Sequence, residues 1–196
     1  MQHLPLVAGT TAFLLNMAAF FYYGKSALAG PTKPNPATWI IWTVVSVILG
    51  SSYFALGAWY TMGVPIAYVI CPTVIMIIAL AYQRPNFTKL DLFCLAAAGI
   101  SVLLWWWFRS ATVAFFITLT IDFLGVIPTI RHCLDHPEEE DKTAWTLFAV
   151  GNAANILAVE SLDAMNLIYP VYMFLGASTV AALVWFPRRS VRTSSV

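Results

Sequence analysis

The sequence predicts an all-α integral membrane protein of seven transmembrane helices, built as two parallel three-helix bundles joined by linker helix 4 (3+1+3). Three observations predict it. Hydrophobic residues make up 60% of the chain and charged residues 10%, at a mean hydropathy of +0.78, which cannot describe a solvated surface around a core. A bilayer core of about 30 Å needs roughly 20 apolar residues per helix at ~1.5 Å each. Seven runs meet that need, near 5–24, 37–58, 62–82, 91–108, 111–131, 143–160 and 165–186. Finally, polar and aromatic positions recur at a constant offset of 106 residues. Little chain is left for a soluble domain, so 1–196 reads as a single transmembrane domain with repeat A at 5–82, a linker helix at 91–108 and repeat B at 111–186.

Helix 1 contains Asn16 as its strongly polar residue below the outer Thr10 and Thr11. The turn Gly30-Pro31-Thr32-Lys33-Pro34-Asn35-Pro36 follows, with Asn35 placed to cap helix 2 and Pro36 suited to its first turn. Helix 2 has Ser46 at its centre, then Ser51 and Ser52. Helix 3 has Pro65 near one end, Tyr68 a turn below and Pro72 at mid-depth; prolines weaken the backbone ladder and serve either a hinge or a packed kink. Helix 4 is nearly devoid of polarity at membrane depth. Helix 5 is apolar except for Asp122, with Gly125 and Pro128 following it. Helix 6 carries Asn152 and, one turn on, Asn155; helix 7 carries Pro170 and Tyr172.

At the common offset Asn16 maps to Asp122, Lys25 to Arg131, Trp39 to Trp145 and Ser46 to Asn152, while Pro65 falls one residue from Pro170 and Tyr68 near Tyr172. Three spans invert the following repeat, and one more restores its direction, which gives helix 4 a purpose.

Basic residues collect on the cytoplasmic side of membranes. With the N-terminus outside, the inner connections hold Lys25, Lys33, Arg84, Lys89, Arg131, Lys142, Arg188, Arg189 and Arg192, and the outer ones only Arg109. Trp59, Tyr60, Trp105, Trp106 and Trp107 then form an outer aromatic belt, with Trp39, Trp42 and Trp185 toward the inner surface. The expected location is the plasma membrane, of the bacterial inner-membrane kind, with a cytoplasmic C-terminus.

An ionisable residue at the centre of a span costs roughly 2.5–3.5 kcal/mol on insertion scales. Asp122 is therefore the first candidate for function. Asn16, Ser46 and Asn152 share its level, Asn155 widens the patch, and this is where repeat-built transporters place substrate between their halves. Interhelical hydrogen bonding that merely glues the bundle is the competing account. Tyr68 and Tyr172 are candidates to stack on a substrate, or to pack. Cys71, Cys94 and Cys133 have no metal-ligand spacing and read as packing residues. The run from His132 to Asp141, with His136, Glu138, Glu139 and Glu140, reads as a solvated acidic turn leading into helix 6 rather than a metal site.

Gly30-Pro31-Thr32-Lys33-Pro34-Asn35-Pro36-Ala37-Thr38-Trp39-Ile40-Ile41-Trp42 resembles the first motif of the PQ-loop/SWEET-like superfamily of seven-helix membrane transporters. Asp122-Phe123-Leu124-Gly125-Val126-Ile127-Pro128, continued by Lys142-Thr143-Ala144-Trp145, is similar to the second. Thr32, Lys33, Pro34, Trp39 and Trp145 carry the motif. Tyr22 stands where the first motif has its proline, and Thr129 where the name-giving Gln stands. The resemblance implies transport by alternating access, with Pro128 as the gating hinge and Gly125, Pro65 and Pro170 assisting, against a simple kink at each. Proton-coupled relatives have an acid in this helix, which leaves Asp122 three readings: proton carrier, direct ligand of a substrate hydroxyl or amine, or hydrogen-bonded structural acid.

No nucleophile, metal cluster or phosphate loop is visible, so an enzyme is not expected, nor a cofactor, a metal or a nucleic-acid partner. Without Lys or Arg deep in a span, a polyanion would lack a counter-charge, so the expected partners are the lipid bilayer and a small neutral or cationic solute such as a sugar, amino acid or vitamin-like compound. The alternative is a non-transporting receptor or scaffold of the KDEL-receptor type, which resembles this fold but uses deep basic residues. Both halves lie in one chain, so a monomer suffices and a homo-oligomer stays open.

Overall fold

A computed structural model describes residues 4–55, 63–82, 87–108, 111–159 and 164–187, without the side chains of 49–55, 63–68, 105, 111–112, 114 and 164–166. The side chains of Pro65, Tyr68, Ser51, Ser52 and Trp105 thus lie outside the described residues, as do Trp59, Tyr60, Arg84, Arg109, Arg188, Arg189 and Arg192.

Among the described residues the chain is all-helical: α1 (Leu4–Ala29), α2 (Pro36–Ala55), α3 (Gly63–Tyr82), α4 (Lys89–Trp107), α5 (Ala111–Asp135), α6 (Lys142–Leu157) and α7 (Ala164–Trp185), with a 3-10 turn at Pro137–Glu139. Three segments, Leu4–Ala29, Phe115–Asp135 and Leu167–Trp185, are long and apolar enough to cross a membrane. This is a helical membrane protein. Large apolar side chains face outward along the bundle, among them Leu6, Phe21, Phe93 and Leu103, an arrangement that suits lipid and would be an aggregation liability in water.

α1 shows the logic most clearly. Its inward positions are Ala8, Ala12, Asn16, Ala19, Tyr23 and Ala27, nearly all small, while Val7, Leu14, Phe21 and Leu28 point out. In lipid the large residues gain nothing by facing inward, so small residues take the interface and let backbones approach. α6 answers with Gly151, where an added Cβ would lie 2.6 Å from Asn16 Nδ2 and 3.3 Å from the Ala12 carbonyl oxygen. The α2–α5 interface repeats the device: a Cβ on Gly125 would lie 2.7 Å from Trp42 Nε1.

Local chemistry sets the helix ends. Gly30, at φ 95°, terminates α1 in a conformation that only glycine adopts freely. Because the turn waits for that glycine, α1 runs five residues past the span expected at 5–24. Asn35 Oδ1 accepts from Ala37 N at 2.9 Å and Thr38 N at 3.3 Å, capping α2. Asp141 Oδ1 caps α6 from Ala144 N at 2.7 Å, at the position 106 residues after Asn35. Thr88 and Asp91 form a reciprocal capping box at the start of α4, and Asn35 Nδ2 donates to Asp91 at 3.2 Å.

Following neighbours around the bundle, α1 packs on α3, α3 on α2, α2 on α5, α5 on α7, α7 on α6, and α6 back on α1, while α4 lies against α5 and α2. Trp39, expected in the inner aromatic belt, corrects that expectation, and Trp145 shares its surroundings. Trp39 is 1% exposed and Trp145 3%; both are core residues and neither of them belongs to a lipid-facing belt. Trp185, by contrast, is exposed, beneath the Lys142 ammonium.

The glycine contacts set an expected outcome. Gly151→Ala should destabilise the protein by about 1–3 kcal/mol, since the Cβ meets backbone as well as side chain. Gly99→Ala on α4, where nothing lies within 4 Å, should be neutral or stabilising by up to about 1 kcal/mol. Unfolding of both variants in one detergent measures the contrast; equal effects would refute the close approach of α1 and α6.

Candidate functional site

Asp122 is buried in α5, and its Oδ2 accepts a hydrogen bond from the Tyr172 hydroxyl of α7 at 2.7 Å. Its main-chain carbonyl accepts from Trp42 Nε1 of α2 at 3.3 Å. Three helices therefore meet at one residue. Gly125 leaves the space that the Trp42 indole fills, and Pro128, fully buried two turns from the acid, removes one donor from the α5 ladder. Pro170 stands inside α7 two residues before Tyr172 and is also buried. Thr129 donates to Thr38 Oγ1 at 2.8 Å and ties α5 to the start of α2.

The other polar candidates are arranged differently. Asn16 Nδ2 donates to the Ala12 carbonyl at 2.8 Å, Ser46 Oγ to Trp42 at 2.8 Å, and Asn152 Nδ2 to Phe148 at 2.9 Å. Each is satisfied by the carbonyl four residues back in its own helix, an alternative to bridging between helices. Asn16 lies against Gly151, whereas Asp122, expected at the equivalent position, faces α2 and α7. Asn155 is half-buried on α6. The structure thus joins Asp122 to Tyr172, and Asn16 to the Gly151–Asn152 step, at two separate helix interfaces.

A second cluster fills the end of the bundle where α1 passes to α2 and α5 to α6. The Tyr23 ring stands 5.0 Å from Trp39 and 6.2 Å from Trp145, and Trp42 stands 5.2 Å from Trp39. Glu140 enters this aromatic group. Its Oε2 accepts from Trp145 Nε1 at 2.8 Å, and burial pushes its carboxyl up to about 7, with the Trp145 hydrogen bond and the nearby Tyr23 hydroxyl pulling the other way. The solvated acidic turn expected from His132 to Asp141 is therefore corrected: α5 continues to Asp135, and Glu138 is exposed, but Glu140 is in the core. Glu139 pairs with Lys33, 106 residues before it, and the Lys33 amide donates to the Glu139 carbonyl oxygen at 2.7 Å. His132 Nε2 lies 3.3 Å from Glu139 Oε2.

Sequence reasoning missed Glu140, although a signal existed. Glu140 precedes the N-cap Asp141 and touches Trp145 one turn into the helix, which is the geometry of a hydrophobic staple with a carboxyl in place of the apolar residue. Pro34, fully buried ahead of Asn35 and Trp39, occupies the matching place in the first half.

Beside this cluster a cleft of about 610 Å³ is lined by Thr32, Lys33, Asn35, Asp91, His132 and Glu139, among others. Lys33 and Glu139 face each other, and Asp91 is engaged by Thr88 and Asn35. Among the described residues no three His, Cys, Asp or Glu side chains converge on a point that would hold a metal ion. Comparison with family models, with curated proteins and with solved structures finds no match.

The Asp122–Tyr172 contact should prove energetically coupled. Tyr172→Phe leaves a buried carboxyl oxygen unpaired and should cost about 1–3 kcal/mol. In an Asp122→Asn background the same change should cost less, giving an interaction term of about 0.5–3 kcal/mol in a double-mutant cycle measured by unfolding. Lys33→Ala, whose side chain is 54% exposed, should cost under about 1 kcal/mol.

Proposed function

We propose that the chain is a PQ-loop/SWEET-like transporter that moves a small neutral or cationic polar solute by alternating access between two three-helix halves. In this reading all seven helices span the membrane, α1–α3 and α5–α7 are the halves, and α4 links them. Several features support the division. The neighbour order around the bundle maps onto itself when α1, α2 and α3 are exchanged for α5, α6 and α7. Asn35 and Asp141 cap equivalent helices, and Lys33 meets its own equivalent, Glu139.

The observation that carries the functional reading is the buried Asp122–Tyr172 pair beside Pro128 and Pro170. An acid at this depth is expensive when charged and marks an ion or substrate path. Tyr172 stabilises it, and the two prolines weaken the helices that carry the pair just where relative movement would break and remake the contact. The acid takes a proton on the outer side and releases it inward, and Tyr172 exchanges between Asp122 and the solute. A cationic or neutral solute suits a site whose ionisable groups among the described residues are the Asp122 carboxyl and the phenols of Tyr172 and nearby Tyr169.

Reconstituted vesicles test this. Candidate sugars, amino acids and vitamin-like compounds are first ranked by thermal shift, since a ligand of the folded state raises its stability with occupancy. With an inward proton gradient, wild type should accumulate the ranked solute, and Asp122→Asn should retain at most downhill exchange, a loss of about tenfold or more in uphill uptake. Uphill uptake by Asp122→Asn equal to wild type would refute proton coupling through this residue.

A further inference from the structure

Four successive acids occupy the α5–α6 connection, and their surroundings differ. Glu138 is exposed, Glu139 is paired with Lys33, Asp141 caps α6, and Glu140 is turned inward at 5% exposed. Among the described residues only one oxygen of Glu140 has a hydrogen bond, from Trp145, and Oε1 has no partner. The Tyr23 hydroxyl and Trp39 Nε1 are likewise buried and unbonded. Tyr23 lies in range of both Glu140 and Trp39 without meeting the geometry of a hydrogen bond to either. Natural interiors rarely leave three such groups side by side, and each calls for an explanation.

We propose that Glu140 is a proton-binding site that latches this end of the bundle: the neutral carboxyl seats between α1, α2 and α6, and loss of its proton to solvent unseats the α5–α6 connection together with its Lys33–Glu139 contact.

The groups around Glu140 decide the sign. α1 presents Tyr23 and α5 presents Cys133, both uncharged around neutral pH; α2 and α6 present the indoles of Trp39 and Trp145. The neighbouring charges, Glu139 and Asp141, are themselves acidic and disfavour a third negative charge. Residues 176–185 of α7, the end nearest the turn, contain no ionisable side chain. Lys33, the nearest cation of the first connection, is engaged by Glu139. Among the described residues a carboxylate seated here therefore has one indole donor and no cation, and opening to water relieves it. The folded, latched state holds the proton up to about pH 7, against 4.5 for the free acid. Its stabilisation is full below the free-acid value and is lost as pH rises through about 7.

The inference concerns the resting bundle and stands whether or not the chain transports. Its test uses the whole protein in lipid nanodiscs with no solute and no gradient. Amide hydrogen exchange is followed from about pH 5 to about pH 9 at Lys33, Ala144 and Trp145, whose amides donate to Glu139, Asp141 Oδ1 and Asp141 O, with correction for intrinsic base catalysis. Wild type should lose protection at these amides by on the order of 10²-fold across a midpoint near neutrality. Glu140→Gln should be flat over the same range, and infrared spectra should lose one protonated carboxyl band. A flat wild-type profile, or a Glu140→Gln profile like that of wild type, would overturn the proposal. Should Glu140→Gln not fold, Trp145→Phe serves in its place. It removes the donor that favours the charged form, so the midpoint must move to higher pH; an unmoved midpoint rules the latch out.

Discussion

The close approach of α1 to α6 is the constraint on which the rest of the bundle depends. Between helices in lipid there is no hydrophobic drive to expel water, so packing must supply the attraction, and packing is good only where side chains are small. Ala8, Ala12, Ala19 and Ala27 on one side and Gly151 on the other bring the backbones together. That choice displaces the bulky residues outward to the lipid. It also concentrates the aromatic volume at one end, where Tyr23, Trp39, Trp42, Trp145 and Phe148 fill the space that the converging helices leave.

A bundle packed this tightly has few places for polar groups, and most of those it keeps turn back on their own helices, as Asn16, Ser46 and Asn152 do. The buried Thr129–Thr38 bond between α5 and α2 is one exception; Asp122 and Glu140 are two others. Each is a carboxyl held by one aromatic donor from another part of the fold, Tyr172 in one case and Trp145 in the other. An unpaired buried charge is far costlier than a paired one, so both acids make their surroundings depend on a single hydrogen bond. Such positions are where a small change in protonation or geometry has a large structural effect.

Much of this was legible in the residues. The capping of α2 by Asn35 followed from local chemistry, because a cap needs only its own turn. Asp122 stood out because its neighbours in the chain are apolar, and that contrast survives folding. What could not be read was direction in space. Asn16 and Asp122, 106 residues apart, were expected to be equivalent, yet they face different helices, since Gly151 opens room beside Asn16 and Trp42 closes over Gly125. Trp39 looked like a belt residue because tryptophan at a helix end often is one; its burial depends on Phe20 and Tyr23 of α1, which the fold brings against it. Glu140 was hidden by its company, since four acids in a row average to a solvated turn, and only its place ahead of the N-cap singles it out.

The meeting of Lys33 with Glu139 has a consequence for the order in which the fold can be completed. The Lys33 ammonium and its main-chain amide both bind Glu139, 106 residues further along the chain. A chain made from its N-terminus reaches the α1–α2 connection long before Glu139 exists, so that connection gains these partners only when the α5–α6 connection has been made.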